Sequence, residues 1–291
     1  MKLTLDLKTQ IGECPLWDPR AQLLRFVDIE ERALHAYHPE SGELCTIRLP
    51  EAIGFVALAR DRSVVVGLEN GVHRLDLERE ELELIVAVEE DQPTRINDGR
   101  CDPAGRLWFG TLAADMTAGA GSLYRLGSDG LERVVSGATI SNGLDWSPDG
   151  RTLYYVDTLA PTITAFPFSV ESGELGKPRR FASFAPSEQF PPPSGLPDGL
   201  CVDASGGVWV AMLGAGELRC YRPDGTLART VTVPTSLVTS CGFGGASLDV
   251  LYATSARHLL TLEQARAQPS AGGLYCARMD VRGQYQRPFH D

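Results

Sequence analysis

Apolar and polar residues alternate over short stretches separated by turns rich in Asp, Pro and Gly, a period-2 pattern that predicts half-buried strands. Four stretches share one plan: WDPRAQLLRFVD from Trp17, CDPAGRLWFGT from Cys101, WSPDGRTLYYVD from Trp146 and VDASGGVWVAM from Val202. Each has an apolar residue, a turn, and then an alternating apolar strand. Two weaker copies, LARDRSVVVGL from Leu58 and FGGASLDVLYAT from Phe243, fill the gaps, so the unit recurs six times at spacings of about 40 to 56 residues. After each copy comes a second strand and often another turn, as in ALHAYHPESGEL and GSLYRLGSDGLERV, which makes three to four strands per unit. Repeats of this length, with several strands each and no helical period, match propeller blades and not helical solenoids. The expected fold is all-β, a six-bladed β-propeller in which residues 1–291 form one domain. Lys2 to Leu7 (KLTLDL) alternates but has no repeat of its own. It is expected to pair with the last blade and close the ring, leaving few strand edges free. The stretch LTLEQARAQ at 260–268 has helical character and is expected to be a surface insertion in the sixth blade.

Composition narrows the class of function. A hydrophobic content of 43% with 30 glycines and 19 prolines suits a soluble, turn-rich protein with a substantial core. The formal charge of -11 and the lack of a Lys/Arg cluster argue against nucleic acid as a partner. No apolar run approaches the ~20 residues that span a bilayer, and the first ten residues lack the apolar core of a signal peptide. A cytoplasmic protein is expected. The seven cysteines form no CxxC pair and are odd in number, so they are expected to be reduced and mostly buried. Cys14 stands out because it adjoins a candidate site residue.

The register of the repeat predicts where chemistry gathers. In a propeller the innermost strand of each blade lines the central channel, so residues just before it approach the axis at one face. Counting back five from Asp18, Asp102, Ser147 and Asp203 gives Glu13, Asn97, Asn142 and Asp198, all oxygen-bearing. Aligning the Asp-Gly pairs instead places Asp98 in the slot of Asn97. The corresponding slots in the second and sixth blades are read as Gly54 and Ser240, small residues that would leave room for a ligand. Two carboxylates and two amides suit a hard cation: Ca²⁺, Mg²⁺ or Mn²⁺, with Zn²⁺ and Fe²⁺ open. Against this, Asn-Gly and Pro-Asp-Gly are ordinary turn sequences. The chain has no GxSxG, HExxH, GxxxxGK[ST] or helix-opening GxGxxG. Its five histidines fall outside the register, which points to solvated or core roles for them. The proline-rich FPPPSGLP at 190–197, just before Asp198, reads as a rigid connector, with part of the pocket rim as the alternative.

At these residues the sequence resembles the SMP-30/gluconolactonase family, which includes regucalcin and the bacterial sugar lactonases, the bacterial branch above all. The resemblance runs through IGECPLWDP, RINDGRCDPAGRLWFGT, SNGLDWSPDG, PDGLCVDASGGVWVA, TSCGFGG and LTLEQARAQPSAGGLY, nearly the whole chain. It implies a six-bladed propeller with one divalent metal ion held by Glu13, Asn142 and Asp198. It implies substrate contacts at Arg95 and Asn97, which favours Asn97 over Asp98. A further family Glu falls on Asp115, whose side chain is shorter. The activity implied is hydrolysis of an aldonolactone to the free acid, with Asp198 the candidate general base. The alternative is a noncatalytic calcium-binding or regulatory propeller of regucalcin type. A pocket walled by aromatics would point instead to an aryl or phosphotriester substrate. The expected partner is a small-molecule sugar lactone, with the protein a monomer or weak homo-oligomer.

Overall fold

A computed structural model describes residues 1–88, 93–160, 162–184 and 190–290. Six four-stranded antiparallel sheets follow one another along the chain. Their inner strands are Gly12–Asp18, Ile53–Leu58, Thr94–Cys101, Ser141–Trp146, Leu196–Val202 and Val238–Gly244. Each inner strand packs against the next and the sixth returns to the first, so the six blades form a ring. Lys2–Leu5 pairs with Leu274–Arg278 as the outer strand of the sixth blade and closes that ring, as the sequence predicts. The predicted helix spans Leu262–Ala267, opens with a capping box between Thr261 and Gln264, and buries none of its residues. No described helix is long and apolar enough to cross a membrane.

The repeated Asp explains why the turn recurs. Asp102 accepts from the Ala104 and Arg106 amides at 2.8 and 3.1 Å and from Trp108 Nε1 at 3.0 Å. Asp203 repeats this with Ser205, Gly207 and Trp209 at 2.8 to 2.9 Å. One carboxylate thus closes the turn and fixes the large ring of the following strand. The core lies between adjacent blades, as where the buried Trp108 meets Trp146 and Phe168 edge-on at 5.9 and 5.7 Å.

Close approach of neighbouring inner strands requires absent side chains. A Cβ on Gly143 would lie 2.5 Å from the Asp198 carbonyl oxygen, and one on Gly54 would lie 2.2 Å from that of Asn97. Neither glycine has a positive φ. The Asn-Gly at 142–143 is therefore no turn, and Gly54 serves blade packing instead of opening space for a ligand.

One feature was absent from the sequence reading. The segment from Arg282 to His290 crosses the end of the ring where the inner strands finish. Gln284 Nε2 donates to the carbonyls of Trp146 and Val202 at 3.1 and 3.2 Å. The amides of Phe289 and His290 donate to Leu58 and Gly105 at 2.7 and 2.9 Å.

Candidate functional site

The opposite end of the ring, where the inner strands begin, holds a cavity of about 290 Å³ lined by Glu13, Arg95, Asn97, Asn142 and Asp198 among others. A larger cavity of about 630 Å³ lies under the C-terminal segment and includes none of these residues. The site residues expected from the sequence therefore gather at the smaller one.

Local backbone geometry aims these side chains. Every inner strand shifts register against its neighbour near its start: between Glu13 and Leu16, Ile53 and Phe55, Ile96 and Gly99, Ser141 and Leu144, Pro197 and Leu200, and Val238 and Ser240. Such bulges bend the strand and re-aim a side chain that would otherwise pack against a blade. Asn97, Asn142 and Asp198 lie within them, and Glu13 is the paired residue at which the first blade's shift begins. In the sixth blade the bulge falls on Thr239, which lines the cavity, and not on the predicted Ser240. Ser240 lies one residue past the slot, since five back from Gly244, the residue after the apolar Phe243, is Thr239. In the third blade it is Asn97 and not Asp98 that lines the cavity.

Asn142 is held by its amide nitrogen, which donates to Thr158 Oγ1 at 3.0 Å and to Asp198 Oδ1. Its Oδ1 is buried without any hydrogen-bond partner. Such an orphaned acceptor is costly unless something absent from the protein itself satisfies it. Glu13 and Asp198 are buried at 8% and 5% exposure. Burial pushes both carboxyls well above their ordinary pKa, and Glu13 is raised further by the charges of Asp198 and Asp98. A cation would reverse each of these penalties. The donor set of two carboxylates and one amide oxygen fits a divalent ion. Among the described residues no group of three or more His, Cys, Asp and Glu is placed to hold a metal. The fit therefore depends on Asn142.

Arg95 donates through Nη1 to the Ile96 carbonyl at 3.2 Å and to Asn97 Oδ1 at 3.1 Å. Asn97 in turn donates to the Ser141 carbonyl at 3.0 Å, tying the third blade to the fourth. Asp115 stands apart: it is exposed, and its Oδ1 accepts from the amide and hydroxyl of Thr117 at 3.0 and 2.7 Å. These bonds hold its pKa below the ordinary range. Its neighbours Ala114 and Met116, and not Asp115 itself, line the cavity.

Two further contributors were not expected: Glu30 and His258 line the mouth, so one histidine outside the register reaches the site while remaining exposed. Phe190 lines it too, in keeping with the pocket-rim reading of the proline-rich stretch. Glu30 and His258 follow the ends of second strands, Leu23–Asp28 and Val250–Ser255. In an antiparallel blade the second strand ends beside the start of the first, and that rule would have found them. Beneath the site, Asp28 accepts from the Gln10 and Ile11 amides at 2.9 and 3.1 Å, and Asp157 from those of Thr139 and Ile140 at 3.0 Å each. These two carboxylates fix the backbone just before Glu13 and Asn142.

The chain is 39% identical over 256 residues to a pentonolactonase of Haloferax volcanii, covering 87% of this chain and 84% of that protein. It is 32% identical over 289 residues to a 6-deoxy-6-sulfogluconolactonase of Pseudomonas putida, with 97% and 96% coverage. Among solved structures, a calcium-binding protein, regucalcin, from Agrobacterium tumefaciens superposes with a TM-score of 0.94 at 29% identity, covering 99% of this chain and 97% of that one. Residues 11–257 match the model of the SMP-30/Gluconolactonase/LRE-like region. With the propeller, the blade register and this match in agreement, the chain belongs to the SMP-30/gluconolactonase/LRE-like family.

Proposed function

We propose that this chain hydrolyses the lactone ring of a sugar acid, with one divalent metal ion held by Glu13, Asn142 and Asp198. The observation that carries this reading is the orphaned Oδ1 of Asn142, buried in a cavity that two uncompensated carboxylates share. When bound, the ion supplies electrophilic polarisation of the lactone carbonyl and acidifies the attacking water. Asp198 receives the proton of that water, its orientation fixed by Asn142 Nδ2. A carboxylate beside a cation is a weak base. Arg95 gives Nη1 to the protein and keeps its other guanidinium donors for substrate hydroxyls. Asn97 sets the plane of Arg95 and contributes its own edge to the sugar. The pentonolactonase and sulfogluconolactonase relatives support a lactone of a five- or six-carbon sugar acid.

The test is acid release from a panel of aldonolactones against a series of divalent metals and a chelator. The expected result is hydrolysis that the chelator abolishes and metal restores. Asp198→Asn should be folded and inactive, and near-normal turnover by that variant refutes the assignment. A second reading, a calcium-binding propeller without catalysis, is favoured by the likeness to the Agrobacterium protein. Metal binding by calorimetry with no metal-dependent acceleration on any lactone would decide for it.

A further inference from the structure

The cavity changes character from floor to mouth. Its floor carries Glu13, Asn142 and Asp198 with Arg95 and Asn97, whereas Ile11, Ile29, Leu112, Ile140 and Leu213 form much of the wall. At the mouth Met116, Phe190 and Leu259 are 48%, 43% and 42% exposed, so three of the nine exposed large apolar side chains among the described residues border this one opening. They come from three separate connections: the loop after the third blade's second strand, the entry to the fifth blade, and the loop before the helix. Exposed apolar side chains gathered at a cavity mouth mark a surface that gains by being covered. On this rim the outer hydroxyls of a polyhydroxylated ring find partners only at Glu30 and His258 and none on Met116, Phe190 or Leu259, which an alkyl chain would cover instead.

We propose that the same site also hydrolyses δ-lactones bearing an unbranched alkyl chain on the carbon attached to the ring oxygen. The lactone carbonyl occupies the polar floor, and the chain lies along Met116, Phe190 and Leu259. This rests on the lactone-hydrolysis reading of the floor. The oxygen of water bonds to the carbonyl carbon and the ring C–O bond breaks. The ring oxygen leaves as a secondary alcohol with one proton, and the new acid ionises to a carboxylate, releasing the other. No redox partner is required.

The experiment compares kcat/KM of the metal-loaded protein on δ-valerolactone and its 5-methyl, 5-propyl and 5-pentyl derivatives with that on a sugar lactone. The wild type should gain about two- to fourfold per methylene, the upper figure matching ~0.8 kcal/mol for each buried CH₂. The exposed triple variant Met116→Ser, Phe190→Ser, Leu259→Ser should flatten that series. Calorimetry with 6-alkyl-2-piperidinones, lactams of the same shape, should show affinity rising with chain length without need of turnover. A rate or affinity independent of chain length, or a rise that survives the triple variant, overturns the proposal. Hydrolysis of the sugar lactone without any of the alkyl lactones overturns this inference alone. Hydrolysis of neither overturns the reading on which it rests.

Discussion

Asp157 shows how the proposed metal centre depends on a residue that never touches the ion. Its two carboxylate oxygens hold the Thr139 and Ile140 amides, three and two residues before Asn142. In Asp157→Asn one oxygen becomes a donor, so one of the two amides loses its acceptor and the approach to Asn142 loosens. Residues that orient metal ligands typically matter by ten- to a hundredfold in affinity. Asp157→Asn should therefore weaken divalent-metal binding about tenfold in titration calorimetry, and an unchanged dissociation constant would remove Asp157 from this role. The same residues show what a single sequence can reveal. Glu13, Asn97, Asn142 and Asp198 were legible because each stands five residues before its blade's turn, at or within a bulge. Thr239 is the residue that the count gives from Phe243, so Ser240 stands one position past the slot, and Glu30 and His258 follow second strands, whose ends the count never examined. Asp115 was placed by likeness alone, and its short side chain is satisfied within its own turn by Thr117.

Among elements, the six blades were readable because each repeats an Asp that closes a turn and anchors a strand. The C-terminal segment was not, since it is neither a strand nor a repeat and is tied down by scattered backbone bonds and single side chains such as Gln284. Phe289 is its apolar anchor, 3% exposed and packed into the core around the second blade, with its amide on Leu58. Phe289→Ala leaves that amide bond in place and removes a buried ring, a change that costs about 3 to 4 kcal/mol. Because the segment closes the end of the ring away from Glu13 and Asp198, melting temperature and urea midpoint should fall while kcat/KM of the folded protein stays within about twofold. A fall in kcat/KM as large as that caused by a metal-ligand substitution would show instead that the two ends of the ring are coupled.

Across the whole molecule, the axis of the ring gathers buried carboxylates in a protein that already carries a formal charge of -11. Asp98 lies in this group, and burial raises its carboxyl from the ordinary 3.8 to about 6, against the lowering effects of Arg100 and the Gly99 amide. The raised value means that the folded protein binds a proton more tightly than the unfolded chain does. The stabilising contribution is therefore fully present below about pH 4 and is lost as pH rises through about 6. Asp98→Asn stays neutral throughout, can still accept from the Gly99 amide, and leaves Arg100 its 2.7 Å ion pair with Asp145. In chelator-treated protein, the variant should match wild type near pH 4 and become more stable by about 3 kcal/mol above pH 7, following from two units of pKa at ~1.4 kcal/mol each. Urea unfolding at a series of pH values measures this directly. A stability difference that does not change with pH would mean that Asp98 keeps its charge at no cost, and that the axis is better solvated than its burial indicates.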